Sequence, residues 1–327
     1  YDLQRRCYRS DYIEAAGVGP SLFPEILSSH TAIGNLTSEA AALLGLTTRT
    51  KVMAGGVDNA CMALGARGIR NGRAYLSLGS SSWIAVTGDR PLLDLSVKPF
   101  VFAHCIDGMY ASATSIFAAG SSFRWMRDIL CGDLVEQERA GAVPDAYLAM
   151  TELAGRVPIG ANGLCFNPSL AGGAMIEESP HMVGCFAGLR LSHTRGDMIR
   201  AAMEGITYNL YYAFTLLEAM QGPIDSLLLT GGGGKNPFWR QMFADVFGIS
   251  IIKTNIDQSA ASLGAAALCA YGLGLWKDYS RVDDIHIVQS VQEPIEAHTA
   301  SYRKQYALSR FVAHQMALLG EELHRQD

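Results

Sequence analysis

The run Ser226-Leu227-Leu228-Leu229-Thr230 leads straight into Gly231-Gly232-Gly233-Gly234-Lys235-Asn236-Pro237, and this junction constrains the fold more than any other stretch of the chain. A short continuous apolar run predicts a strand buried on both faces. Four successive glycines let the backbone come close to a ligand and take up positive φ. Asn236 suits a helix N-cap and Pro237 the first helical position, so a helix opens there. Strand, glycine loop and helix N-terminus together make a receptor for phosphate, because free N–H groups and the helix dipole converge on one spot. Neither common nucleotide fingerprint is matched. Lys235 is followed by Asn rather than Ser or Thr, and Asn236 stands where the last Gly of G-x-G-x-x-G belongs. A tight turn with no ligand is the plainer alternative; four glycines in a row argue against it.

The rest of the chain alternates between strand and helix patterns, which predicts an α/β protein. Helices are expected over Ser10–Ala16, Thr37–Leu44, Asn59–Ala66, Ser112–Leu130, Pro144–Arg156, Asp197–Met220, Pro237–Val246, Ser259–Tyr271 and about 297–323. Strands are expected over Lys51–Ala54, Asp225–Thr230 and Ser250–Thr254, and Arg73–Leu78 with Trp83–Thr87 reads as a hairpin. A length of 327 residues corresponds to about two domains, and Asn71-Gly72, just before the hairpin, is the expected boundary.

Two further segments can carry chemistry. The hairpin turn Leu78-Gly79-Ser80-Ser81-Ser82-Trp83 gathers backbone N–H groups and hydroxyls in one concavity, which favours an anion. It is no hydrolase elbow, since Trp83 stands where G-x-S-x-G needs Gly; the competing reading is an ordinary Gly-Ser turn. In Gly55-Gly56-Val57-Asp58-Asn59 a carboxylate stands at the start of a helix beside an approachable backbone, as a general base requires; the competing reading is an Asp N-cap. The eight histidines form no H-E-x-x-H and no close pairing with cysteine, so no metal site is expected, and His104, His181 and His193 read as structural. Tyr208, Tyr211 and Tyr212 fall at helical spacing and read as core. The seven cysteines include no C-x-x-C and read as buried reduced thiols of a cytoplasmic protein. With 26 Lys and Arg against 31 Asp and Glu, the net charge of −5 offers no overall basic field for nucleic acid. The first residues lack the apolar core of a signal peptide, and the uncharged stretches 157–176 and 259–276 are too rich in Pro, Gly and Ala to span a membrane.

In their order along the chain these segments resemble the FGGY family of carbohydrate kinases. Gly184-Cys-Phe-Ala-Gly188-Leu189, then Asp197-Met198 to Met203-Glu204, is similar to the family's second signature. Residues 224–273 resemble its adenosine-binding segment, GGVDNACMALGARG its catalytic stretch and YLSLGSSSW its second phosphate loop. The resemblance implies an actin-like ATPase (ribonuclease H-like) α/β fold, with the C-terminal domain essentially complete over residues 71–327 and residues 1–70 forming only the closing part of an N-terminal sugar-binding domain. It implies an ATP-dependent kinase, with Mg2+ on the phosphates, acting on a pentulose or related polyol. The alternative is a non-catalytic nucleotide-binding fragment that needs its missing half. Asp58 would be the catalytic base and, with Asn59, would touch sugar. Ser80 would take the place of the usual Thr near the γ-phosphate, Gly232, Gly233 and Asn236 would hold adenosine or its α-phosphate, and Gly79, Ser81 and Gly231 would be nucleotide-binding with them. Gly172 would flank the adenine. Sugar and ATP are the implied partners, nucleic acid and membrane are not, and a homodimer stands open as the assembly.

Overall fold

The computed structural model describes residues 1–326. The first part of the chain gives helix α1 (Ser10–Ala15), strand β1 (Ala32–Asn35), helix α2 (Ser38–Leu44), strand β2 (Lys51–Met53) and helix α3 (Asp58–Gly65). Strands β1 and β2 pair antiparallel. Thr37 caps α2, its hydroxyl accepting the Ala40 N–H at 3.2 Å, and Gly45 ends that helix with φ of +66°.

A larger sheet follows. Its elements in chain order are β3 (Ala74–Leu78), β4 (Ser82–Gly88), β5 (Phe100–Ala103), β6 (Tyr110–Ile116), α4 (Gly120–Leu130), α5 (Gly132–Arg139), α6 (Ala146–Gly155), β7 (Cys165–Asn167), β8 (Cys185–Ala187), α7 (Arg195–Gln221), β9 (Ser226–Thr230), α8 (Pro237–Phe247), β10 (Ser250–Thr254), α9 (Ala260–Gly272), α10 (Arg281–Ile285), β11 (Val288–Gln292) and α11 (Glu296–His324). The seven-stranded sheet runs β11-β10-β9-β3-β4-β6-β5. Strands β3, β9 and β10 are parallel, and the remaining pairs are antiparallel.

Strand periodicity sorts the side chains between two cores. Leu76, Leu78, Ile84, Val86, Leu227 and Leu229 pack on one face with the buried stripe of α7. Tyr75, Ala85, Ala111, Ala113 and Leu228 pack on the other with Ala63 and Ala66 from the α3 region and Ala260 of α9. Helices α3 and α9 touch backbone to backbone. A Cβ on Gly65 would meet the Ala260 carbonyl and one on Gly264 the Cys61 carbonyl, so only glycine permits the approach. Because β3, β9 and β10 are parallel, the turns that follow them all leave the same edge of the sheet, the usual place for a ligand in an open α/β sheet.

Two expectations are corrected. Ser112–Leu130 is not one helix: residues 110–116 form β6, which pairs with β4 along its whole length, and the helix begins only at Gly120. Its small residues alternate across the sheet, where space beside α7 is short; the Thr114 hydroxyl donates to the Ala213 carbonyl at 2.9 Å. Nor are all the thiols buried. Cys61, Cys105 and Cys131 are, Cys165 and Cys185 are half-buried, and Cys7 and Cys269 are exposed.

Candidate functional site

The turns at the edge of the sheet enclose a cleft of about 540 Å3. That volume lies in the usual range for a small-molecule site. Of the sequence-derived candidates, Gly79, Ser80, Gly232, Gly233 and Asn236 line it together, although the hairpin and the glycine loop stand more than a hundred residues apart. Phe123, Tyr147 and Trp239 supply an aromatic wall, with Phe123 lying 4.9 Å from Trp239 and 5.7 Å from Tyr147 between ring centroids.

The hairpin turn is held by α4. The Gly79 carbonyl accepts the Gly120 N–H at 2.9 Å, and the Ser80 carbonyl accepts the Ala119 and Ser121 N–H groups at 3.1 and 3.0 Å. Arg124 Nη2 donates to Ser80 Oγ at 2.8 Å. The carbonyls of the turn are thus committed to the protein, while the Ser80 and Ser81 N–H groups donate to no acceptor among the described residues. A turn so arranged offers donors, and Arg124 adds positive charge beside them. Gly120 and Arg124 were not singled out from sequence. Their only signal is the Gly-Ser-Ser start of a helix, and their role depends on a contact about 40 residues away in the chain.

On the facing side Gly231 has φ of +87°, and a Cβ there would lie 2.6 Å from the Leu78 carbonyl oxygen. Gly231 therefore lets β9 dock against β3 and does not itself line the cleft. A short 3-10 turn, Gly232–Lys235, leads to Asn236, whose Oδ1 caps α8 by accepting the Trp239 N–H at 3.1 Å. Asn236 Nδ2 donates to Thr151 Oγ1 at 2.7 Å, which joins α8 to α6 across the floor of the cleft. The N-terminus of α8 presents the positive end of its dipole here.

Ser81, although part of the hairpin turn, is not among the lining residues, and Gly172 lies in a separate loop, with φ of +84° and its N–H on the Ser169 carbonyl. Asp58 and Asn59 also lie outside the cleft. Val57, not Asp58, occupies the N-cap position of α3, so the Asp-cap reading does not hold; the Asp58 Oδ1 instead accepts the neighbouring Asn59 N–H at 2.8 Å and stays exposed. The loop before it requires glycine: Gly55 has φ of +79°, and a Cβ on Gly56 would lie 2.5 Å from Cys105 Sγ. Burial pushes the Tyr75 hydroxyl up to about 12, with the Trp83 hydrogen bond opposing and the Asp58 charge adding to the rise. The backbone contact of α3 with α9 ties Asp58 to the segment that follows Gln258, another residue of the cleft. Among the described residues no group of three or more His, Cys, Asp or Glu side chains gathers to hold a metal, and no helix is long and apolar enough to cross a membrane.

Comparison with known proteins gives this geometry a context. Residues 74–273 match the C-terminal domain of the FGGY family of carbohydrate kinases, and residues 1–65 match its N-terminal domain. Xylulose kinase of Staphylococcus epidermidis is 32% identical over 307 residues, which cover 92% of this chain and 59% of that protein. Gluconokinase of Bacillus licheniformis is 30% identical over 304 residues, covering 93% of this chain and 59% of that protein. The crystal structure of ligand-bound xylulose kinase from Lactobacillus acidophilus superimposes with a TM-score of 0.89 at 25% identity, over 98% of this chain and 63% of that one. The fold is therefore the actin-like ATPase fold of these kinases. The chain spans about three fifths of the length of the curated relatives it matches.

Proposed function

We propose that this chain, which belongs to the FGGY family of carbohydrate kinases, supplies the nucleotide-binding and base-bearing parts of an ATP-dependent kinase that phosphorylates a hydroxyl of a pentulose or related polyol. The observation that carries the reading is the convergence of the Gly79–Ser80 turn and the Gly232–Gly233 loop on one cleft. The aromatic wall suits a base, and the glycine loop with the α8 N-terminus suits the α-phosphate. The Ser80 turn, with Arg124 at its back, suits the terminal phosphates. Xylulose kinase and gluconokinase among the relatives support a sugar or sugar acid as acceptor.

Phosphoryl transfer needs positioning and charge stabilisation more than covalent help. In this reading the exposed Asp58 carboxylate accepts the proton of the attacking hydroxyl, and Asn59 helps to orient the sugar. Mg2+ would arrive on the nucleotide phosphates, which supply most of its oxygen ligands, so no all-protein cage is required. Residues 1–70 act as the closing part of a sugar-binding domain and 71–327 as the nucleotide-binding domain. Two measurements test the proposal. Mg-ADP should bind the chain with one-to-one stoichiometry in calorimetry, and a folded sample that takes up no nucleotide overturns the reading of the cleft. In the complete two-domain enzyme Asp58→Asn should lower turnover by about 10²–10⁴-fold with nucleotide affinity unchanged; wild-type turnover would remove Asp58 from catalysis.

A further inference from the structure

Helix α11 meets the rest of the protein through one face only. Thr299, Tyr302, Val312, Ala313, Ala317 and Gly320 are its buried residues. A Cβ on Gly320 would collide with the His181 carbonyl, so this side of the helix lies close against the molecule. At about 3.6 residues per turn, the opposite side is centred on Lys304, Leu308, Phe311, Gln315, Leu318 and Glu322. All six are exposed. Phe311 is 62% exposed, Leu318 55% and Leu308 42%, a row of large apolar groups where a surface helix ordinarily turns charged and polar residues to water. The steps between the six are 4, 3, 4, 3 and 4 residues. That is the a/d spacing of a coiled-coil seam, sustained over about 27 Å of helix. The two ends of the seam carry opposite charge, Lys304 on the N-terminal side and Glu322 on the C-terminal side.

We propose that this face of α11 docks on the same face of a second copy of the chain, the two helices running antiparallel about a two-fold axis at Ala313. Antiparallel packing sets a positions against d positions, so each seam residue meets the one equally far beyond the axis. Leu308 then meets Leu318 of the second copy, and Leu318 meets its Leu308. Phe311 covers the aliphatic part of Gln315, and beside the seam Ala307 meets Leu319, which is exposed as well. Lys304 meets Glu322 at both ends, so charge and apolar surface are complementary in one register. A parallel pairing would set Lys304 on Lys304 and Glu322 on Glu322, and like charges oppose it. Glu322 also pairs with Arg325 of its own helix; that pair is exposed and weak, so it does not hold Glu322 back from the second copy. Two-fold symmetry uses the seam up on both copies, and assembly stops at the dimer. No residue of α11 lines the nucleotide cleft, and the dimer does not rest on that reading.

The test is sedimentation velocity on the chain over a range of concentrations. A reversible dimer should form with a dissociation constant in the micromolar range, as suits a small interface built on one helix pair. Every substitution counts twice in a two-fold dimer. Leu318→Glu, which sets a carboxylate against Leu308 at both ends, should leave the chain monomeric. Lys304→Glu and Glu322→Lys should each raise the dissociation constant about tenfold or more, because two ion pairs become two like-charge contacts. The double variant Lys304→Glu/Glu322→Lys should return the constant to within a few-fold of the parent, which a parallel pairing would not do. All three positions are exposed, so circular dichroism and the urea midpoint of each variant should match the parent. A chain that stays monomeric up to about 0.1 mM overturns the proposal and leaves the face to a partner of another kind. Parental dimerisation in Leu318→Glu and in both single charge variants overturns it as well, by placing the contact on another surface. Single charge variants that weaken the dimer without recovery in the double variant overturn the antiparallel register.

Discussion

Replacing Gly120 by Ala sets helix propensity against tertiary packing. Alanine in place of a helical glycine is worth up to about 1 kcal/mol in favour of the helix, and Gly120 is the first residue of α4. The structure opposes this. A Cβ at Gly120 would sit well inside 3.0 Å of the Gly79 carbonyl oxygen, 3.1 Å from the Gly79 carbonyl carbon and 3.5 Å from Ser80 N. The obstacle is backbone, so no rotamer relieves it, and the turn must retreat by roughly 1 Å to restore ordinary contact. Overpacking of this kind costs about 1–3 kcal/mol. The retreat also stretches the bonds from Gly120, Ala119 and Ser121 to the turn, each worth about 1 kcal/mol. The net expectation is a loss of about 1–3 kcal/mol after the helical gain is subtracted, seen as a fall in Tm of roughly 1–5 °C for a chain of this size. Because the same turn lines the cleft, ADP affinity should fall about tenfold or more. Urea denaturation and ADP calorimetry on the same sample check both numbers. A variant as stable as the parent or more so, with ADP affinity intact, would refute the argument, because propensity would then have won over the carbonyl contact.

The neighbouring glycines should separate binding from stability. At Gly232 the nearest atom to an added Cβ is Gln258 Nε2 at 3.9 Å, so Gly232→Val should fold normally, within about 0.5 kcal/mol of the parent, while its side chain obstructs the ligand and weakens ADP; at Gly233 a Cβ would collide with the Leu78 side chain, Cγ at 2.5 Å, so Gly233→Val should lose stability as well. A Gly232→Val variant with parental ADP affinity would show that this loop does not face the nucleotide. His104 gives a pH prediction: burial lowers it to about 4, below the ordinary 6.5. The native state therefore binds fewer protons than the unfolded chain, so its stability is complete above pH 6.5 and falls as pH drops toward 4, by about 3 kcal/mol in all. His286, also lowered by burial, acts in the same direction. Urea midpoints between pH 7 and 4.5 measure the fall, and His104→Asn, whose side-chain oxygen can still accept the Ile106 N–H that Nδ1 accepts at 3.0 Å, should flatten the slope.

What the sequence by itself determined is local. The apolar run before Gly231, the Asn236 cap and Pro237 fix strand, loop and helix within a dozen residues, because each depends on backbone conformation and near neighbours. Thr37 and Gly45 bound α2 for the same reason, and the hairpin around Gly79 was legible from alternation and turn residues. Strand β6 was not, since Ala111 to Ser115 are small residues whose pattern suits helix and strand alike; pairing with β4 decided between them. The tertiary structure also decided which glycines line the cleft and which permit a close contact with a neighbour. Gly231 and Gly233 meet Leu78, Gly120 meets Gly79, and Gly65 and Gly264 let α3 and α9 touch. It brought Arg124 to Ser80 and buried Lys253 beside Asp257. A sequence window carries conformational preference, which is summed over adjacent residues, but close approach and charge depend on distances between segments that only the packed sheet sets.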